Sequence, residues 1–68
     1  MKYIVIEIQT DSNGTVGILT YSYDNYNEAQ SKYHLILSSA AISELPMHAA
    51  TIITSDGYQH EQKCYSHT

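Results

Sequence analysis

The chain has 68 residues, with seven Asp and Glu against three Lys, no Arg, a net charge of −4 and one cysteine. A chain of this length forms a single domain, residues 1–68, and buries only about 60% of the surface that its unfolded form exposes. Three scattered lysines cannot neutralise a phosphate backbone, so we expect no direct nucleic-acid binding. One cysteine allows no intrachain disulfide, and self-association is therefore the expected source of added stability.

The N-terminal part of the chain predicts a β-hairpin. Residues 2–9 alternate between two sides with the period of a strand and are rich in β-branched residues. Asn13-Gly14 is a strong hairpin signal, and residues 15–23 form the returning strand. A two-residue loop pairs Ile8 with Leu19. A four-residue loop shifts the strand register by two residues and leaves each side chain on the same face of the sheet. One face then carries Ile4, Ile6, Ile8, Leu19 and Tyr21, and the other carries Tyr3, Val5, Glu7, Val16, Ile18 and Thr20.

Residues 26–43 predict a single helix. Asn25 precedes it as an N-cap residue, and the helix ends before Pro46, which disfavours helical backbone in the residue ahead of it. The apolar stripe of this helix consists of Tyr26, Ala29, Tyr33, Ile36, Leu37 and Ala40. On the opposite side Leu35 and Ile42 lie seven residues apart, and we predict a second partner surface there.

The C-terminal part predicts a second hairpin. Residues 47–54 form the third strand, Asp56-Gly57 the turn, and residues 58–65 a polar fourth strand. Pairing across this turn groups Ala49, Thr51, Ile53 and Cys64 on one face, and His48, Ala50, Ile52, Glu61, Lys63 and Tyr65 on the other. Because the second group contains two charges, which are costly inside, we expect the first face to meet the helix.

These elements predict an α+β fold of order ββαββ. A right-handed crossover from the second strand through the helix to the third leaves the first strand between them. The sheet is then antiparallel with strand order 2-1-3-4, and the helix packs on one of its faces. The most polar strand lies at an edge, where polar and charged side chains suit a sheet.

No pattern in the chain predicts a catalytic, cofactor or metal site. His60, Cys64 and His67 have a spacing reminiscent of zinc ligands, but positions 60 and 64 lie ~13 Å apart on one strand and cannot hold the same ion. Cys64 with a histidine lacks a third group and an oxyanion site. We therefore predict that the protein is not an enzyme.

The sheet face away from the helix is predicted to be half apolar and uncovered. Exposed apolar surface of this kind marks a partner site, and a two-fold dimer is the commonest way to cover it. In this prediction Glu7 lies near the centre of the interface. The predicted self-interface or partner interface consists of Tyr3, Val5, Ile18, His48, Ile52 and Tyr65.

The opening MKYIVIEIQT has an apolar run that is interrupted by Glu7 and is too short for a signal peptide or a transmembrane span. The single cysteine agrees with a reducing compartment. We expect a cytosolic protein that does not enter membranes.

The same opening, followed by NGTVG and later by NEAQSKYHLILSSAAISELPMHAA, resembles a group of small uncharacterised proteins carried by phages and prophages of Gram-positive, Firmicutes-type bacteria. The resemblance implies a virus-encoded accessory protein in the host cytoplasm, or a minor virion component. In that setting we expect an interaction protein that binds a host or viral protein, for example as an inhibitor of host defence. The alternative is an oligomer that sequesters a small ligand between subunits, with tyrosine rings stacked on it. The lack of Arg disfavours an anionic nucleotide as that ligand.

Overall fold

Strand-forming residues fall in segments of eight, and these segments build one antiparallel sheet. The computed structural model describes residues 1–67. Its elements are β1 (Tyr3–Thr10), β2 (Val16–Tyr23), α1 (Tyr26–Ala41), β3 (Met47–Thr54) and β4 (Gln59–Ser66). The strand order is β2-β1-β3-β4, and each neighbouring pair is antiparallel. The predicted ββαββ architecture is therefore confirmed.

The first hairpin turns through five residues rather than two or four. The Asp11 carboxylate accepts hydrogen bonds from the backbone N–H groups of Asn13, at 2.9 Å, and Thr15, at 3.0 Å. Gly14 has φ +83°, which a residue with a Cβ adopts only with strain. The last strand pair is Thr10 with Val16. An odd loop length moves every β2 side chain to the opposite face from the one predicted.

The helix packs on the sheet face that the sequence analysis left uncovered, so that prediction is wrong. Val5 and Ile52 are fully buried beneath α1, and Ala50 lies beside them. On the helix, Ala29, Tyr33 and Ile36 complete the core. The two charges that were expected to exclude this face are accommodated. Glu61 accepts hydrogen bonds from the Tyr26 and Gln30 side chains of the helix, and Lys63 stays exposed with its ammonium group 5.3 Å from the centre of the Tyr65 ring.

Local side-chain contacts define the ends of α1. The Asn25 side chain accepts hydrogen bonds from the N–H groups of Asn27, at 2.7 Å, and Glu28, at 3.4 Å, as the predicted N-cap requires. The helix ends at Ala41, two residues earlier than predicted, with Ile42 as its C-cap. None of the helical segments in residues 1–67 is long and apolar enough to cross a membrane.

The second hairpin contains a bulge next to its turn. Ile52 pairs with Glu61 but Ile53 pairs with Gln59, so His60 is the extra residue. The Asp56 carboxylate accepts a hydrogen bond from the Thr54 hydroxyl, which lowers the pKa of Asp56 from its usual value. The bulge brings His60 close to the aromatic rings at the N-terminal end of α1.

The face assignment predicts different costs for the same substitution at two adjacent residues. Ile52 is fully buried under the helix, whereas Ile53 points to the other face and is only half-buried. Removing a buried methyl group costs about 1 kcal/mol. We expect Ile52→Val to lower the free energy of unfolding by about that amount, and Ile53→Val to lower it by less than half as much. Urea denaturation at low protein concentration measures both, and equal losses would contradict the assignment.

Candidate interaction surfaces

One sheet face has no covering layer within the part of the chain that the structure describes. We call it the open face. It consists of the even-numbered residues of β1 (Ile4–Thr10) and β2 (Val16–Ser22), the odd-numbered residues of β3 (Met47–Ile53), and Gln62, Cys64 and Ser66 of β4. Its centre is a row of three isoleucines, Ile4, Ile6 and Ile8, on the central strand β1.

The aliphatic side chains of the open face remain accessible to solvent. The three central isoleucines are half-buried, and only the side chains of the neighbouring strands cover them. Toward the edges Ile18 is 61% exposed, Val16 55% and Met47 44%. Among the strand residues described by the structure, this face carries no Asp, Glu, Lys or His. A continuous apolar surface of this kind is typical of a binding site.

The second exposed apolar surface lies on the helix, on the other side of the domain. Leu35 is 61% exposed and Ile42 is 85% exposed, as the sequence predicted. A groove of about 290 Å³ opens beside Leu35, and it is lined by Tyr23, Glu28, Ser31, Lys32 and Leu35. We call Leu35, Ile42 and this groove the helix surface. Lys32 places its ammonium group 4.2 Å from the centre of the Tyr21 ring at one side of the groove.

The predicted interface residues do not form one solvent-facing surface. Val5 and Ile52 are fully buried under the helix, and His48 is only 4% exposed there. Tyr3 and Tyr65 are half-buried on the same side of the sheet. Of the six predicted residues, only Ile18 lies on the open face. The prediction is wrong in its residues because the first hairpin has a different register and the helix covers the other face.

The sequence analysis missed the central isoleucines, although a signal for their exposure exists. The helix stripe contains Tyr26 and Tyr33, and tyrosine hydroxyl groups need hydrogen-bond partners when they are partly buried. The sheet face with Glu61 provides such a partner, whereas a row of isoleucines provides none. Because its inward stripe is partly polar, the helix packs on the sheet face that carries polar partners, and the isoleucine row remains uncovered.

A buried polar pair lies between the helix and the sheet. His48 Nε2 donates to the Glu7 carboxylate at 2.6 Å, and the Gln9 side-chain amide donates to the same oxygen at 2.8 Å. Glu7 is 9% exposed and His48 is 4% exposed. Within residues 1–67, the other ring nitrogen of His48 has no hydrogen-bond partner. The contact gives the buried Glu7 carboxylate two donors and gives one of the two ring nitrogens of His48 an acceptor.

Aromatic rings cluster at the N-terminal end of the helix. The ring centres of Tyr3 and Tyr26 are 5.4 Å apart, those of Tyr26 and His60 are 5.4 Å apart, and those of Tyr58 and His60 are 4.8 Å apart. Tyr26 donates to the Glu61 carboxylate at 2.9 Å, and this hydrogen bond raises the pKa of Tyr26. The ring pairs meet at tilted or edge-on angles of 49° to 80°, so the rings use one another as packing partners.

The residues with zinc-like spacing point in different directions. His60 belongs to the aromatic cluster, and Cys64 is exposed on the open face. His67 Nε2 donates to the carbonyl oxygen of Ala40 at 2.9 Å, which ties the end of β4 to the last turn of the helix. In the described part of the chain, no group of three or more His, Cys, Asp or Glu residues converges on a point where a metal ion would bind.

No protein-family model, curated protein or solved structure matches this chain. The resemblance to phage proteins therefore stays a prediction, and the functional argument depends on the two exposed surfaces.

The buried pair predicts a non-additive effect of mutation on stability. Replacing Glu7 or His48 alone with leucine leaves the other polar group buried without its partner, which costs about 3 kcal/mol. We expect the Glu7→Leu and His48→Leu variants each to be strongly destabilised, and the double variant to be more stable than the sum of the two losses predicts. A double-mutant cycle by urea denaturation measures this coupling, and additive losses would show that the contact has no energetic role.

Proposed function

We propose that this chain is a small non-enzymatic interaction protein that acts through two apolar surfaces on opposite sides of one domain. The observation that carries the proposal is the row of Ile4, Ile6 and Ile8, which runs along the central strand without a covering layer. A central strand normally has both faces packed when both faces are apolar, and a wet face is normally polar. An uncovered isoleucine row is therefore surface that a partner covers.

The contacts that hold Glu7, His48 and Glu61 support a binding role rather than a catalytic one. Glu7 and His48 are buried in a mutual contact, and Glu61 is held by Tyr26 and Gln30. These contacts engage the groups that acid–base chemistry would need, and they stabilise the packing of helix on sheet. The continuous solvent-accessible surfaces are aliphatic. Aliphatic side chains stabilise a complex because burial in the interface removes them from water.

We further propose a phage setting, in which the protein binds a host or viral protein in the bacterial cytoplasm, for example to inhibit a host defence. The resemblance described above supports this setting. Leu35 on α1 and Ile42 at its C-cap lie seven residues apart in the chain, which is close to the spacing of anchors in a helix that docks into an apolar groove. The helix surface is accordingly the proposed contact for the heterologous partner. In the alternative role of a minor virion component, this chain would use the helix surface to bind another virion protein.

A matched pair of variants tests the role of the helix surface. Leu35 and Ile18 are both aliphatic and both 61% exposed, but they lie on the helix and on the open face. Partner proteins captured from a host lysate are identified, purified and titrated against each variant. We expect Leu35→Glu to weaken binding by about tenfold or more, because a central apolar anchor contributes most of the affinity, and Ile18→Glu to leave the direct contact intact.

Circular dichroism of both variants controls for folding. Equal affinity of wild-type protein and Leu35→Glu for the purified partner would contradict the assignment of the helix surface. Turnover of a substrate by the purified protein, abolished by Cys64→Ala, would contradict the non-enzymatic proposal.

A further inference from the structure

The open face is large enough to reach the lower size limit of a specific interface. Four strands about 4.8 Å apart, each of eight residues that rise about 3.4 Å, span roughly 19 by 27 Å. That is a flat area of about 500 Å² for each copy, and the relief of the side chains adds to it. Two such faces in contact bury about 1,000 Å² or more, which reaches the size of a specific protein interface.

The charge distribution permits a second copy of this acidic chain on the open face. The net charge is −4, so two copies repel each other wherever their acidic groups meet. On the described strands, the open face carries none of these groups. Glu7 and Glu61 point to the helix side, and the acidic residues Asp11, Asp24 and Asp56 lie in turns or connections at the ends of strands. Face-to-face contact therefore keeps the like charges outside the interface.

The shape of the open face is suited to contact with the open face of a second copy. At the middle of the central pair of strands, Ile6 lies beside Thr51 and Ile8 lies beside Ala49, whereas at the ends Ile4 lies beside Ile53 and Thr10 lies beside Met47. Two large side chains of β1 thus stand next to two smaller ones of β3 at the centre of the face. A two-fold axis between these strands and parallel to them places Ile6 and Ile8 of one copy over Thr51 and Ala49 of the other, which is the self-complementary contact that an isologous dimer requires. Toward the edge strands, the hydroxyl and amide groups of Thr20, Ser22 and Gln62 provide the polar rim of such an interface.

We infer that two copies of this chain pack open face to open face, as two stacked sheets with both helices on the outside. The inference deepens the proposed function, on which it rests, because it names the occupant of the open face. Both helix surfaces stay accessible in this arrangement, so one dimer presents two copies of Leu35 and Ile42 to partners. Glu7, which the sequence alone placed in the centre of the interface, is enclosed on the helix side.

Light scattering from low to high micromolar concentration tests the inference. One chain has a mass of 7.7 kDa, so we expect a mass near twice that value and a melting temperature that rises with protein concentration.

Ile18→Glu brings two like charges into the contact, and we expect it to raise the dissociation constant by about tenfold or more. Leu35→Glu, with the same exposure and the same change of charge, leaves the dimer intact. Ile6→Thr is the second variant, because it weakens the centre of the contact and retains a β-branched residue on the strand.

The outcomes separate this inference from the proposed function. A wild-type mass of 7.7 kDa at every concentration, with concentration-independent melting, overturns the dimer even if Leu35→Glu still abolishes partner binding. A monomeric wild-type protein that loses its partner through Ile18→Glu also overturns it, because the open face then holds a different protein. A stable dimer in which Leu35→Glu has no effect on partner binding supports the dimer and contradicts only the helix surface.

Discussion

One imbalance governs this molecule: a four-stranded sheet has two faces, and residues 1–67 contain one helix with which to cover them. Both faces carry β-branched aliphatic side chains, since β1 alternates isoleucine with Tyr3, Val5 and Glu7. The helix covers the face of Val5 and Ile52 and builds the core there. The second face is left with the central isoleucines in contact with water, which is an unfavourable exposure of apolar surface. Within the described residues, one face of the sheet is therefore packed against the helix, and the other face has no layer packed on it.

Hydrogen bonding explains why the helix lies on the more polar face. Its inward stripe contains Tyr26, whose hydroxyl donates to Glu61, and Gln30 donates to the same carboxylate. On the isoleucine face these groups would lack a partner, and a buried polar group without a hydrogen bond is costly. Small residues, Ala29 on the helix and Ala50 on the sheet, are fully or almost fully buried where the two layers meet. The arrangement leaves outside the row of Ile4, Ile6 and Ile8, whose side chains have no polar atom that needs a partner.

The sequence was sufficient for the elements and their order, because each has a local signal: period-2 strands, glycine turns, and an N-cap at Asn25 before a helical stripe. It was not sufficient for the faces. The side-chain direction of β2 depends on whether the first loop has an odd or an even length, and the Asp11 carboxylate stabilises the odd one. The rule that charges stay outside failed because Glu61 accepts hydrogen bonds from the helix and Glu7 contacts His48 on the neighbouring strand. Those contacts are long-range, and periodicity along the chain contains no information about them.

The central claim is that two chains pack open face to open face, with the isoleucine row of one chain against the open-face residues of β3 in the other. Isotope-filtered NMR on a mixture of methyl-labelled and unlabelled chains tests it directly, since only contacts between different chains give a signal. We expect intermolecular signals between the methyl groups of Ile4, Ile6 or Ile8 and those of Ala49 or Ile53. The buried methyl groups of Val5 and Ile52 should give none. Intermolecular signals from Val5 and Ile52 without any from the isoleucine row, or no intermolecular signal at high micromolar concentration, would contradict the account.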